Sequence, residues 1–393
     1  MAIDYMADAA NLRDELIDRR RDFHRHPELA YQEHRTAGIV ADELNKLGLE
    51  VQTGVGRTGV IGILEGAKAG PTVLYRADMD ALPIHEENQA EYVSQAAGVM
   101  HACGHDGHTA IALGIAKLLT NHREQLGGRV KFVFQPAEEV GSGASSMIDD
   151  GALESPAPDK TLGIHLWNDL EVGTVSVVDG PTMSGAGVFE ITIAGKGGHG
   201  AMPHQTADPI VCSAQIIVAL QSIVSRNIDP LDTVVLTIGE IHGGSARNII
   251  PQTVSFSGSF RLFREETREL IKTRIHDIAT GVAQAMACRA DVNFGLGIGA
   301  IVNDVEVAAR ARSVFSGLGD AIDVVRQPWM ASEDVGLFMQ RNPSAYLLVG
   351  SANHERGLDF PHHHPRFDFD EDVLPLSVGM MSALIADYLR AGA

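Results

Sequence analysis

The sequence predicts an α/β protein: a mixed sheet flanked by helices, interrupted by an inserted ferredoxin-like α+β domain. Three observations lead there. Short β-branched, glycine-bounded apolar runs alternate with amphipathic helical stretches over residues 9–166. Near residue 187 the pattern changes to a β-α-β-β-α-β order. After Ile301 the first pattern resumes. At 393 residues the chain is long enough for two domains. Their boundaries read as 1–186 with 298–393 for a discontinuous outer domain, and 187–297 for the inserted one, with glycine hinges near Gly187 and Gly297.

The elements follow in order. Ala9–Arg25 reads as an amphipathic helix, and Thr36–Leu47 as a second that stops at Gly48. Gly59–Leu64 and Thr72–Ala77 read as buried strands. A helix over Thr109–Asn121 precedes strands at Arg129–Phe134 and Thr161–Leu166. In the insert, Val188–Ala194 alternates as a strand, Asp208–Ser225 is a helix, and Thr233–Ile238 and Val254–Leu262 are strands. Helix Glu265–Ala285 and strand Arg289–Phe294 complete it. A helix from Val305, a strand near Tyr346–Val349 and a helix over Leu374–Leu389 close the chain.

Composition narrows the function. Hydrophobic residues make up 45% and charged residues 21%, ordinary for a globular chain with a large core. The net charge of −20 disfavours nucleic acid or an anionic membrane as partner. Three widely spaced cysteines, Cys103, Cys212 and Cys288, argue against a disulfide framework and fit a reducing cytoplasm. The charged N-terminus does not read as a signal peptide, and no apolar run approaches the roughly 20 residues that span a bilayer.

The chemistry concentrates in MHACGHDGH, Met100–His108. Thiolate and imidazole are the ligands of borderline-soft divalent metals, and Cys103 and His105 stand in a C-x-H pair. A thiolate nucleophile at Cys103 is the competing reading. His101 and His108 either support the ligands or cover the helix start. In QPAEEVGSG, Glu138 and Glu139 follow a strand and a proline, so one can bind metal while the other takes a proton from water. His165 and the His362–His364 run offer further imidazoles, and in RADMDALP either Asp78 or Asp80 can ligate metal or orient a histidine. These ligand groups fall at or after strand ends, the edge where open α/β sheets form sites. His199, in GKGGHGAMPH, can donate to a developing oxyanion. Asn248 and Arg261 offer an amide and a guanidinium, the latter suited to a substrate carboxylate. A zinc nucleobase deaminase is disfavoured, because its P-C-x-x-C motif is absent.

Taken together, HRHPELAYQE, RADMDALPI, MHACGHDGHTA, QPAEEVGSGA, GIHLW, GKGGHGAMPH, ARNIIP, MASEDVG and HHPRFDFDED resemble the M20 metallopeptidase family. The likeness is to its amidohydrolase branch: hippurate hydrolases, N-acyl-amino-acid amidohydrolases and auxin-conjugate hydrolases. The resemblance implies a di-metal catalytic domain with an inserted lid and dimerisation domain, a homodimer, and two divalent ions per subunit. Zinc comes first by ligand type, with manganese, cobalt or nickel also admitted. It implies that Cys103 bridges the ions, that His105 and His165 complete one ligand set, and that Glu139 and His363 complete the other. Among the three histidines, the family's H-x-P pattern selects His363. Glu138 becomes general base and acid, His199 the oxyanion donor, reaching a partner's site in dimeric members, and Asn248 and Arg261 substrate-binding residues. Asp80 orients a ligand, and Glu333 plays a supporting part. The expected reaction is hydrolysis of an N-acyl amino acid. An exopeptidase acting on dipeptides, a thiol hydrolase and a non-catalytic metal-binding protein are the alternatives.

Overall fold

The computed structural model describes residues 3–319 and 322–390. The chain divides into two compact units: Met1–Thr182, Val302–Pro328 and Asp334–Ala393 form one, and Met183–Ile301 with Trp329–Glu333 the other.

The first unit is built on an eight-stranded mixed sheet. Its order is Glu50–Val55, Gly59–Glu65, Gly127–Gln135, Lys68–Asp78, Lys160–Glu171, Ser344–Ala352, Thr174–Ser176 and Asp323–Val325. The middle strands run parallel: Lys68–Asp78 pairs in parallel with Gly127–Gln135 and with Lys160–Glu171, which pairs in parallel with Ser344–Ala352. All nine residues of Ser344–Ala352 are buried, as expected of a strand covered on both faces. Helices His105–Asn121 and Val373–Tyr388 are buried along most of their length. Their Ile111, Ile115, Leu118, Val378 and Leu384 join Val73, Phe132 and Leu347 of the sheet in one core.

Several boundaries differ from expectation, each for a local reason. Ala9–Arg25 is two helices, Tyr5–Ala10 and Arg13–Arg25, and the first is capped by Asp4, which accepts from the Ala7 amide at 3.0 Å. The helix expected from Thr109 begins at His105. Gly104, at φ +88°, makes the left-handed turn that sends the chain directly into it. The strand expected to end at Leu166 continues to Glu171, paired with Ser344–Ala352, so His165 lies within a strand and not at its end. Glu50–Val55 was not foreseen, because its mostly exposed EVQTGV run carries no apolar alternation.

The second unit is a four-stranded antiparallel sheet in the order Val234–Gly243, Thr253–Leu262, Gly185–Ala194, Arg289–Phe294. With helices Pro209–Arg226 and Glu265–Ala285 the chain order is β-α-β-β-α-β. Phe189, Ile191 and Ile193 alternate inward against Cys212, Ile216, Leu220 and Ile223 of the first helix and Ile271 and Ile275 of the second. That helical stripe explains why Pro209–Arg226 is, among the described residues, the one helix long and apolar enough by composition to cross a membrane. The unit is wider than 187–297. It takes in Trp329–Glu333 because Ser184 donates from its amide to the Ala331 carbonyl (2.8 Å) and from its hydroxyl to Met330 (2.7 Å). Gly187 and Gly297 therefore lie inside the unit. Gly187 is a packing glycine, since a Cβ there would sit 2.2 Å from the Phe260 ring.

Candidate active site

The candidate site in the first unit starts from strand Lys68–Asp78 and the turn at Gly104. His105, the first helical residue, is fully buried, and its Nδ1 donates to the backbone carbonyl of Asp80 at 2.9 Å. That fixes the tautomer, and its Nε2 is buried without a hydrogen bond. His165 repeats the device. Its Nδ1 donates to the Leu166 carbonyl at 2.6 Å, which turns Nε2 toward Cys103 Sγ at 3.6 Å. Cys103, His105 and His165 thus offer ligand atoms within 4.8 Å of one another. Cys103, Glu139 and His363 offer a second such group, with Glu139 Oε1 3.4 Å from His363 Nε2. The two groups share the cysteine.

The two glutamates are held by their backbone. Asp80 accepts from the Glu138 amide with one carboxylate oxygen and from the Glu139 amide with the other, both at 3.0 Å. The preceding Ala137 is at φ +54°, a strained conformation, and its amide donates to buried Glu33 at 2.9 Å. Glu33 also accepts from the Tyr31 amide and the Thr58 hydroxyl. Burial raises its pKa, while these donors oppose the rise. Asp334 ties the following turn, accepting from Gln135 Nε2 at 2.7 Å and the Ala144 amide at 3.0 Å. Held this way, the side chains of Glu138 and Glu139 come within 4.0 and 3.9 Å of His105 Nε2.

The electrostatics are those of a site short of positive charge. Burial, then Glu139, Glu138 and Asp78, push the Cys103 thiol well above its ordinary pKa. A thiolate nucleophile needs the opposite environment, so the thiol-hydrolase reading loses its physical basis. Burial disfavours a charged His105, but Asp78, Asp80 and Glu139 outweigh it and raise the ring to about 10. Burial also opposes ionisation of Glu139, and His363 and His105 overcome it and lower its pKa. A buried His105 Nε2 with no hydrogen-bond partner, a thiol among carboxylates and an anionic field fit divalent cations with mixed sulfur, nitrogen and oxygen ligands, a cation taking the place of the proton on that ring.

Asp78, His105 and His108 also lie close, but within this trio Asp78 and His108 are spent on hydrogen bonds. His108 Nδ1 donates to Asp78 at 2.6 Å, and its Nε2 accepts from the Leu166 amide at 2.9 Å, which leaves no lone pair for a metal. Asp78 is further engaged by Arg76 at 2.6 Å. Of the two aspartates in RADMDALP, Asp80 thus supports the glutamates, and Asp78 supports His108. In the His362–His364 run, His362 Nε2 donates to the Leu166 carbonyl at 2.9 Å, and His364 Nδ1 accepts from the Arg366 amide at 3.0 Å. Only His363, at φ +64°, faces Glu139.

The remaining candidates belong to the second unit. His199 and Asn248 are exposed neighbours. His199 pairs with Ile249 across a two-residue ladder, and the Gly200 amide donates to the Asn248 carbonyl at 2.9 Å. Arg261 is near the other end of strand Thr253–Leu262, half-buried, and donates to Ser332 Oγ. Burial lowers its pKa. Glu333 is buried. Sequence reasoning assigned no role to Glu33 or Asp334, and no local signal marks either one.

The model of peptidase family M20/M25/M40 matches residues 74–387, and the chain belongs to that family. It is a metal-dependent hydrolase of amide bonds. It is 40% identical to IAA-amino acid hydrolase ILR1-like 4 of Arabidopsis thaliana, over 96% of this chain and 86% of that one. It is 38% identical to N-acetyl-L-cysteine deacetylase of Bacillus subtilis (93% and 86% covered) and to thermostable carboxypeptidase 2 of Saccharolobus solfataricus (96% of each). The crystal structure of the Bacillus subtilis YXEP protein, described as a dinuclear metal binding peptidase, superposes with a TM-score of 0.85 at 32% identity, covering 97% of this chain and 99% of that one.

Proposed function

We propose that this protein hydrolyses N-acyl amino acids to a carboxylic acid and a free amino acid. The observation that carries the reading is the pair of ligand groups sharing Cys103, with Glu138 beside them. Cys103, His105 and His165 hold one divalent ion, and Cys103, Glu139 and His363 the other. Two such ions supply Lewis acidity and lower the pKa of a bound water toward about 7. Glu138 takes a proton as the water oxygen attacks the acyl carbon. It returns that proton to the amine nitrogen as the C–N bond breaks. Asp80 holds Glu138 and Glu139 in register for this through their amides. His199, from its own or a partner subunit, donates to the developing oxyanion. Asn248 binds near the substrate carbonyl and Arg261 its carboxylate. Thiolate and imidazole ligands favour zinc, with manganese, cobalt or nickel as substitutes.

A homodimer through the second unit is part of the reading. Exposed Val211 and Val218 on helix Pro209–Arg226 and Ile241 on edge strand Val234–Gly243 support it. A reducing cytoplasm suits a cysteine that must remain a thiolate ligand. The relative named as a carboxypeptidase supports a second reading, cleavage of unblocked peptides.

The test is amino-acid release from hippurate, N-acetyl amino acids, aromatic conjugates and unblocked dipeptides, followed by mass spectrometry with a chelated control. Chelator-sensitive release from an acylated subset is the expected result. Release from dipeptides alone would move the protein to the peptidase reading.

A further inference from the structure

Strand Lys68–Asp78 pairs with strand Lys160–Glu171 only as far as Gly163. Leu166 lies beyond that last rung, and its peptide groups are taken by side chains instead. Its amide donates to His108 Nε2 at 2.9 Å. Its carbonyl accepts from His165 Nδ1 at 2.6 Å and from His362 Nε2 at 2.9 Å, which uses both lone pairs. Three histidines, His108 and His165 buried and His362 half-buried, converge on one residue's backbone.

Each partner is braced from behind. His108 Nδ1 donates to Asp78, which Arg76 holds. The His362 ring stacks on Trp167 with centroids 4.6 Å apart and planes 26° apart. Phe367 packs on the same imidazole at 4.9 Å. The arrangement fixes three tautomers: protons on Nδ1 of His165 and His108, and on Nε2 of His362. It also fixes where the Leu166 carbonyl points, and that carbonyl aims His165 Nε2 at Cys103.

We infer that His362 and His108 are positioning residues that clamp the Leu166 peptide and thereby orient the His165 ring for metal. This rests on the reading of His165 as a ligand. His362 is then an outer-shell donor, a role that its place in a histidine run next to a metal-facing histidine disguises. Loss of such outer-shell partners typically weakens metal binding about 10- to 100-fold.

The test compares three variants by metal affinity in competition with a chromophoric chelator, and by the visible absorption of the cobalt-loaded protein. His362→Phe keeps the ring stacked on Trp167 and removes the donor. It should weaken one of the two ions about 10- to 100-fold and alter the cobalt spectrum. His362→Gln returns an N–H donor and should recover most of that loss. Unchanged affinity in His362→Phe would overturn the clamp. His165→Ala is the control for the underlying reading: if it binds both ions like the parent, His165 is no ligand and the clamp falls with it. A measurement on the parent zinc-loaded protein does not depend on any variant folding. Long-range 15N correlation spectra of the histidine rings should show His362 protonated at Nε2 and His165 at Nδ1. The opposite tautomer at either ring would refute the proposal.

Discussion

The two units carry their candidate chemistry in opposite ways. In the first, Cys103, His105 and His165 are buried, and backbone carbonyls set the tautomer of both histidines. In the second, His199, on a two-residue strand, and Asn248, just before the strand that pairs with it, are exposed, and the contacts that fix them are mainly backbone. Buried ligands need preorganisation, because an unpaired polar group in the interior is costly and a misaligned lone pair cannot bind metal. Exposed donors can wait for substrate. The comparison teaches that the first unit stores geometry, while the second presents groups.

The comparison can be broken or sharpened experimentally. The largest effect belongs to Glu138→Gln, which keeps the shape of the loop and removes the proton acceptor. It should lower kcat by about 10²- to 10⁴-fold while metal content by elemental analysis stays at the parent level. Retained activity would remove the base from the scheme. Nearly as large is the stability effect of Arg20→Met. Arg20 is fully buried and meets Asp106 at 2.9 Å, Asp368 at 2.7 Å and Glu371 at 3.3 Å behind the helix that begins at His105. Its loss leaves buried carboxylates uncompensated and should cost roughly 3–5 kcal/mol in denaturant unfolding. A loss below 1 kcal/mol would mean that the support of the first unit is less electrostatic than its geometry implies.

His199→Ala tests the other side of the comparison. It should lower kcat by about 10²- to 10³-fold with no change in metal affinity or unfolding temperature. Any fall in metal content would move His199 from presented group to structural one. The smallest effect is a pH dependence. Burial and Arg20 oppose a charge on His24, but Asp106 at 2.7 Å and Glu86 at 3.1 Å outweigh them and raise its pKa to about 9. His101 and Tyr92 also face this ring. A raised histidine pKa stabilises the fold fully below the unfolded value near 6.5. That stability is lost as pH climbs toward about 9. Unfolding free energy measured from pH 6 to 9.5 should therefore fall, and His24→Gln should flatten the fall.

Much of the fold was legible because its cues are local. Alternation in Val188–Ala194 and the helical stripe through Cys212, Ile216 and Leu220 need only nearest neighbours to be read. Helix Glu265–Ala285 and strand Arg289–Phe294 have the expected ends. The start of the helix at His105 was hidden, since it depends on the backbone conformation of Gly104.

By itself the sequence determined the α/β class, the β-α-β-β-α-β insert and the residue types able to bind metal, because periodicity and side-chain chemistry are properties of short segments. The tertiary structure alone decided which atoms remain available. It spends His362 Nε2 on Leu166 and both nitrogens of His108 on Asp78 and Leu166, leaving His105 Nε2 and the face of His363 toward Glu139. It also decided that Glu33, over one hundred positions from Ala137, holds the strained turn before the two glutamates. The reason is physical: whether a lone pair is free depends on hydrogen bonds to distant backbone, which no local pattern encodes.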